Sequence, residues 1–465
     1  MLIDDTILVA HRELSSCSVE FLYYISKNPE LLNRSHYKML AKHDQSTYEF
    51  PGTLQPWPTF INEKSKNKMA SSALSVKKLI AHIPERVFLN DCEKMSEYYD
   101  LPIDAIELLM EEAGTEFLNS RLGRGDFILS CNNEFKCIEF NITPNVGGSE
   151  VDLMEEQYLK VPAIATFLLE NKVRRYPSQL FMTLLQFILQ LFNRDNIGNL
   201  KEVNLAIAVS TVARYAPISV RLKNLYREAL NNFDTRFQGD LFISDVKDFV
   251  IDGNSLFANN KRIHILIQVD SSDCSHLWFS LAKQKRLQLY NGPTTQIMCN
   301  KLNLALLSEH QESELFTYEE RRNIALHIPW TRKTVPGRTS YGTERVQLEE
   351  FALRHRERLV LKHALKCQGQ DVYIGSCTST DDWDHKVRTA FKERVWVLQE
   401  FVPSQRYYYQ TGTTGCVPHH VIWGPFVFGD IYGGACARVF PVVGNQGVIN
   451  SARGAESSMI IEVKE

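Results

Sequence analysis

The chain has 465 residues and a mass of 53.5 kDa, and its 52 lysines and arginines nearly balance its 55 aspartates and glutamates. This balance excludes a protein built mainly to coat nucleic acid or an acidic membrane surface. A hydrophobic share of 44% and an aromatic share of 11% exclude a mostly disordered chain, and the length predicts about two to four folded domains.

Neither the N-terminus nor the most apolar segment is typical of a membrane protein. Asp4 and Asp5 stand where a signal peptide carries basic residues. The apolar run 180–192 is interrupted by glutamines and is shorter than the ~20 residues of a membrane helix. The ten cysteines form no CxxC pair, so we expect reduced thiols. The sequence therefore predicts a cytoplasmic protein without membrane or nucleic-acid partners.

Local patterns change along the chain and predict four regions. Apolar residues at helical spacing behind Asp104 predict a helix over 104–113, and two short strands joined by the turn 131–134 predict a β-hairpin. Farther on, helical stretches near 157–171, 178–193 and 218–232 alternate with strand-like runs, which indicates an α/β region. The last part is mostly strands, which favours an antiparallel α+β lobe. The regions are 1–100, of unknown role, 101–155, with the hairpin, 156–330, the α/β region, and 331–465, the strand-rich lobe.

The strongest chemical signal lies on the predicted hairpin. Asp126 is on its first strand, and Glu139 and Asn141 are two residues apart on its second strand, so their side chains share a face. Two carboxylates and an amide oxygen form the oxygen-rich ligand set that Mg²⁺ prefers when phosphates fill its other positions. An exposed acidic hairpin is the alternative. We predict Asp126, Glu139 and Asn141 as metal ligands.

Two further segments are typical of a nucleotide site. Lys362 ends an apolar strand, and a loop containing Gly369 follows it, an arrangement that can hold phosphates. An apolar strand then leads into a polar pair and a hydrophobic pair, a pattern that suits an adenine slot with backbone groups at its edge. These four residues are Gln399, Glu400, Phe401 and Val402. Each segment alone is also compatible with an ordinary strand.

The last signal combines arginines with an asparagine. Arg438 lies on a strand and suits the charge that develops on a transferring phosphoryl group. Asn450 and Arg453 follow in a glycine-containing loop. A structural salt bridge is the alternative for Arg453.

Together, these four signals resemble the ATP-grasp superfamily. The usual order of that superfamily places the lysine, the hinge and the arginine before the magnesium hairpin, whereas here the hairpin comes first. The chain therefore resembles a circularly permuted ATP-grasp protein, with 156–330 as an intervening pre-ATP-grasp-like α/β domain. A permutation of this kind needs only one broken surface connection.

The resemblance implies ATP and Mg²⁺ as cofactors and an ATP-dependent joining of a carboxylate to an amine through an acyl phosphate. It implies that Lys362 holds the α- and β-phosphates, that Lys366 shares this role, and that Gln405 stands nearest the ribose. Arg438, Asn450 and Arg453 would act on the transferring phosphoryl group or the acyl carboxylate. The loop 363–371 has fewer glycines than the superfamily pattern.

Alternatives stay open at this stage. The acyl group could be loaded onto the thiol of a carrier protein, or the chain could bind nucleotide without turnover. The expected partners are a small-molecule or peptide carboxylate and an amine acceptor, and a homodimer stays open.

Overall fold

The structure is a computed structural model. It describes residues 4–32, 50, 53–112, 121–143, 146, 149–194, 201–234, 237–269, 276–290, 295–366, 369–411, 415–443 and 454–465. Helices and sheets are mixed throughout, as the sequence predicts. In the described residues, no helix has both the length and the apolar character needed to span a membrane.

The largest sheet has eight strands within the described residues and draws them from distant parts of the chain. The predicted hairpin is present as Leu122–Leu129 and Phe135–Asn141, and its first strand pairs antiparallel with Gly415–Phe428. The sheet therefore joins the 101–155 region to the C-terminal strands. Its six consecutive strands are Thr59–Ile61, Glu456–Val463, Ile431–Pro441, Gly415–Phe428, Leu122–Leu129 and Phe135–Asn141, and Arg406–Thr411 and Arg175–Tyr176 add at its sides.

A parallel sheet lies in the middle of the chain. Its order is Gln288–Tyr290, Ile265–Gln268, Leu205–Val209 and Leu241–Asp245, and all three pairings are parallel. The β-branched and apolar runs that predicted buried parallel strands form its centre. The predicted α/β character of this region is confirmed, and its boundaries stay a prediction.

A third, four-stranded sheet carries Lys362, and we call it the lysine sheet. Its order is Thr331–Lys333, Trp396–Glu400, Leu359–His363 and Val372–Ile374, with antiparallel pairings. The helix Thr380–Glu393 covers it through Trp383, Val387 and Phe391, which are all buried. The strand that bears Lys362 is therefore held between two neighbours.

Helices fill the space around these sheets. The predicted helix 104–113 is Ile103–Glu112 and buries Ile106 and Leu109. The helix predicted near 157–171 is two helices, because Pro162 has no N–H to continue the first one. The helices are Asp5–Leu14, Ser16–Lys27, Glu63–Ala81, Ile83–Arg86, Cys92–Tyr99, Ile103–Glu112, Val151–Lys160, Pro162–Glu170, Leu180–Arg194, Ala216–Phe233, His276–Lys283, Thr295–Met298, Leu302–Glu309, Tyr318–His327, Leu348–Arg354 and Thr380–Glu393.

The N-terminal segment is part of the largest sheet. Its strand Thr59–Ile61 pairs in parallel with Glu456–Val463. Phe60 is 1% exposed, and its ring lies 5.4 Å from that of Phe21 and 5.7 Å from that of Phe167. This aromatic cluster ties two helices to the edge of the sheet, so the segment contributes to stability.

We predict that Phe60→Ala lowers the free energy of unfolding by about 3–5 kcal/mol, because it removes a ring from a filled core. Urea unfolding measures the change. The control Tyr318→Ala alters a side chain that is 77% exposed and should change stability by less than about 0.5 kcal/mol. Equal, small effects of both variants would contradict this role of the N-terminal segment.

Candidate functional site

The hairpin brings the predicted acidic residues together. Asp126 and Glu139 are directly opposite each other across the two strands, and Arg124 is opposite Asn141. Residues directly opposite in an antiparallel pair project from the same face of the sheet. Glu139 and Asn141 also share that face, because they are alternate residues of one strand. Arg124, Asp126, Glu139 and Asn141 therefore form one polar cluster.

Asp126 is bound by two arginines. Arg124 Nε lies 3.0 Å from Asp126 Oδ1, and Arg438 Nη2 lies 2.6 Å from Asp126 Oδ2. Burial opposes ionisation of this carboxyl group, but the two guanidinium groups outweigh it and hold the pKa of Asp126 below its usual value. Both carboxylate oxygens contact guanidinium groups, whereas the sequence predicted contact with a metal ion. Asp126 thus orients Arg124 and Arg438.

A glycine in the intervening strand makes room for this arrangement. Gly424 lies on Gly415–Phe428, between the strand of Asp126 and the strand of Arg438. A Cβ atom at Gly424 would lie 3.1 Å from Arg124 Cδ and 2.9 Å from Cys436 Sγ. A larger residue at this position would therefore require Arg124 and Cys436 to shift.

Glu139 forms an ion pair that the sequence did not lead us to predict. Lys301 Nζ lies 2.9 Å from Glu139 Oε1 and donates a 2.7 Å hydrogen bond to the carbonyl oxygen of Lys366. The Lys301 side chain is only 4% exposed. It precedes the helix Leu302–Glu309, and its backbone N–H donates to the carbonyl of Ala364. A lysine at the start of an apolar helix was the available signal for this residue.

Lys362 bridges the hairpin and the lysine sheet. Its Nζ donates to the carbonyl oxygen of Ile138 at 3.0 Å and to Oε1 of Gln399 at 2.7 Å. Neither partner carries a negative charge. Burial lowers the pKa of Lys362 to about 8, although the carboxylate of Glu139 opposes this shift. The hairpin and the lysine sheet thus enclose an ammonium group that no carboxylate of the described residues contacts.

The residues predicted to border adenine, 399–402, lie at the end of the strand Trp396–Glu400. The backbone N–H of Glu400 donates to the carbonyl of Trp330, and that of Phe401 donates to the carbonyl of Arg358. The side chain of Gln399 points to Lys362 and is 2% exposed. Val402 follows as a half-buried residue outside the sheet. The backbone N–H groups of Glu400 and Phe401 are thus bonded within the protein, and the adenine role of 399–402 stays a prediction.

The remaining predicted residues have different surroundings. The side chain of Lys366 is exposed, and Gly369 has a φ of 69°, which favours glycine. Gln405 donates from Nε2 to Glu13 and accepts from the hydroxyl of Tyr407, and its backbone N–H donates to the carbonyl of Leu129. Asn450 and Arg453 lie outside the described residues. Their predicted roles stay predictions.

The charges of the cluster favour a polyanionic ligand. In the described part of the site, four cationic side chains surround the two carboxylates of Asp126 and Glu139. Phosphate groups are bound by such combinations of guanidinium and ammonium groups. The four cations are Arg124, Lys301, Lys362 and Arg438.

A metal ion has two suitable ligands here. The described residues hold no group of three or more His, Cys, Asp or Glu side chains arranged around a metal position. Glu139 is 25% exposed, one of its oxygens is contacted by Lys301, and Asn141 is half-buried beside it. Mg²⁺ is commonly held by one or two protein oxygens, with phosphates and water as its other ligands. Glu139 and Asn141 fit such an ion, and the predicted role of Asp126 as a third ligand stays a prediction.

Comparisons with known proteins show similarity at the level of the fold. No family model and no curated protein match the sequence. A solved structure of a glutathione synthetase-like effector from Globodera pallida, in its apo form, is 10% identical and has a TM-score of 0.58. The similarity covers 93% of this chain and 97% of that chain. The two chains therefore have a similar fold over nearly their whole lengths.

A second solved structure is a proposed gamma-glutamylcysteine synthetase from Methylobacillus flagellatus KT. It is 11% identical, with 85% of this chain and 88% of that chain covered. Its TM-score is 0.40.

Asp126→Asn should lower the free energy of unfolding by about 3 kcal/mol at neutral pH, because two guanidinium groups lose their buried carboxylate. A lowered pKa in the folded state means that this contribution is present above the unfolded value of 3.8 and is lost as the pH falls through the folded value. The difference from wild type should therefore shrink in urea titrations below about pH 4. Asp381→Asn, at an exposed site, is the control. A pH-independent difference would contradict the ion-pair assignment.

An anion that contacts Lys362 should raise its pKa above the value of about 8 in the free protein. Binding of inorganic tripolyphosphate between about pH 8 and 9 should therefore take up protons, and its affinity should fall as the pH rises. Calorimetry in buffers of different ionisation enthalpy measures the uptake. Lys362→Met should abolish it and the exposed-site variant Lys392→Met should retain it. A binding heat that does not depend on the buffer would refute this assignment.

Proposed function

We propose that the chain is an ATP-dependent ligase that joins a carboxylate to an amine, with the nucleotide bound between the hairpin and the lysine sheet. The observation that carries this proposal is the enclosed ammonium group of Lys362, together with Lys301, Arg124 and Arg438 around the carboxylates of Asp126 and Glu139. The similarity in fold to a glutathione synthetase-like effector supports it. ATP is the phosphoryl donor in this proposal.

The proposal includes a circular permutation of the ATP-grasp arrangement. The early hairpin pairs with the late strand Gly415–Phe428, so that segments from both parts of the chain complete one sheet. In the usual order of that superfamily, these segments would follow each other in the chain. The parallel sheet containing Leu205–Val209 then occupies the place of the pre-ATP-grasp domain.

The proposed reaction has two steps. A carboxylate oxygen of the first substrate attacks the γ-phosphorus of ATP, the bond to the β,γ-bridging oxygen breaks, and ADP leaves with that electron pair. The amine then attacks the acyl carbon of the acyl phosphate, and inorganic phosphate leaves as the amine loses a proton. Each step moves negative charge between oxygens that fixed cations can stabilise without rearrangement.

The residues have distinct tasks in this scheme. Lys362 and Lys301 hold phosphate oxygens, and Arg438 stabilises the transferring phosphoryl group. Asp126 keeps Arg124 and Arg438 in place through its two ion pairs. Glu139 and Asn141 would hold Mg²⁺, which supplies further neutralisation of the phosphates when bound.

Nucleotide binding without turnover is a second candidate. The loop 363–371 contains a single glycine, and a loop that closes over the phosphates is what would keep water from an acyl phosphate. This alternative shares the binding site and differs in the chemistry.

The test is a screen for ADP release over paired carboxylates and amines. An active pair should release ADP with wild type, and Glu139→Gln should reduce the rate at least about 100-fold, or about 2.7 kcal/mol in the barrier. Glu134→Gln, at the hairpin turn, is the matched control and should retain activity. ATP binding without ADP release for every pair would favour the second candidate. Activity that needs a carrier protein would indicate a thiol acceptor, and absence of ATP binding would refute both candidates.

A further inference from the structure

The contacts of Lys362 depend on an irregularity in the hairpin. Asp126 pairs with Glu139 and the next residue, Phe127, pairs with Cys137, so Ile138 has no partner across the strand. Such a β-bulge releases a backbone carbonyl from the ladder. The carbonyl oxygen of Ile138 accepts the 3.0 Å hydrogen bond from Lys362 Nζ. One of the three ammonium donors of the lysine is used here.

The second partner of Lys362 is held in one orientation by its own neighbours. Thr331 is completely buried, and its hydroxyl donates to the carbonyl of Pro329 at 2.8 Å. The Thr331 oxygen can then only accept from Gln399, and Gln399 Nε2 donates to it at 3.1 Å. The amide of Gln399 must therefore direct its oxygen toward Lys362, at 2.7 Å.

These contacts fix the position of the ammonium group without neutralising it. Ile138 and Gln399 offer neutral oxygens, and Glu139, the nearby carboxylate, is in contact with Lys301. An ammonium group has three donors, and these two partners occupy two of them. Among the described residues, no third partner contacts Lys362 Nζ, so its third donor can serve a ligand that enters between the hairpin and the lysine sheet. A carboxylate at position 399 would instead bind the charge itself.

We propose that Gln399 is a positioning residue, held by Thr331, that directs the uncompensated ammonium group of Lys362 at the phosphates of a bound nucleotide. The nucleotide in this statement rests on the proposed function. This role differs from an adenine contact, because Gln399 acts on the phosphates through Lys362. Gln399 therefore sets affinity for the charged part of the ligand and not for the nucleoside.

The test compares ATP and adenosine binding by calorimetry. Gln399→Met keeps the length of the side chain and removes the acceptor, so ATP affinity should fall about tenfold, the value of one charged hydrogen bond. Adenosine affinity should stay unchanged. Gln399→Glu should weaken ATP more than Gln399→Met does, because its carboxylate pairs with Lys362. Gln347→Met, at an exposed position, is the matched control and should change neither affinity.

Variants of Thr331 test whether its hydroxyl group holds the amide of Gln399 in place. Thr331→Val removes the acceptor for Gln399 Nε2 and should weaken ATP binding about threefold. Thr331→Ser keeps the hydroxyl group and should bind ATP with wild-type affinity. Thermal unfolding of each variant identifies a loss that comes from instability. Equal losses for ATP and adenosine, or no loss in Gln399→Met, would overturn the inference.

Crystal structures without a ligand test the role of Gln399 independently of the proposed function. If wild type binds no ATP, the proposed function fails, and crystal structures of wild type and Gln399→Met still decide the positioning role. Lys362 Nζ should lie as described in wild type and should move toward Glu139 in the variant. An unmoved ammonium group in the variant would overturn the role of Gln399.

Discussion

A buried ammonium group, which no carboxylate in the described part of the chain contacts, determines what the site can bind. Lys362 has two neutral oxygen partners, one from the hairpin and one from its own sheet. Burial makes the charged form of Lys362 costly in desolvation free energy, and this cost lowers its pKa to about 8. An arrangement of this kind is stabilised when an anion enters. The proposed nucleotide site is therefore formed where the hairpin contacts the lysine sheet.

The ion cluster around Asp126 differs from the surroundings of Lys362, because its charges are already paired. Asp126 binds both Arg124 and Arg438, and Gly424 leaves space for the arginine that crosses its strand. Removing one partner of such a buried cluster leaves the others uncompensated. Asp126 thus maintains the shape of the site, while Glu139 and Asn141 are the ligands that suit a phosphate-bound metal ion.

Local patterns predicted the elements better than they predicted the contacts between them. The hairpin, its turn and the strand of Lys362 follow from alternation and turn residues, which act over short distances. The ion pair of Lys301 with Glu139 joins residues far apart in sequence, and no local pattern encodes such a pairing. The helix Thr380–Glu393 was missed although Ser379 caps it and Trp383 begins its apolar face. The N-terminal strand, three residues long, was too short to show a period.

In the proposed complex, a nucleotide binds with its phosphates between the hairpin and the lysine sheet. A crystal structure of the protein with a non-hydrolysable ATP analogue can establish this. We expect phosphate oxygens within hydrogen-bond distance, about 2.7–3.2 Å, of Lys362 Nζ and Lys301 Nζ. A nucleotide bound elsewhere, with Lys362 still held by Ile138 and Gln399 alone, would refute the proposed site.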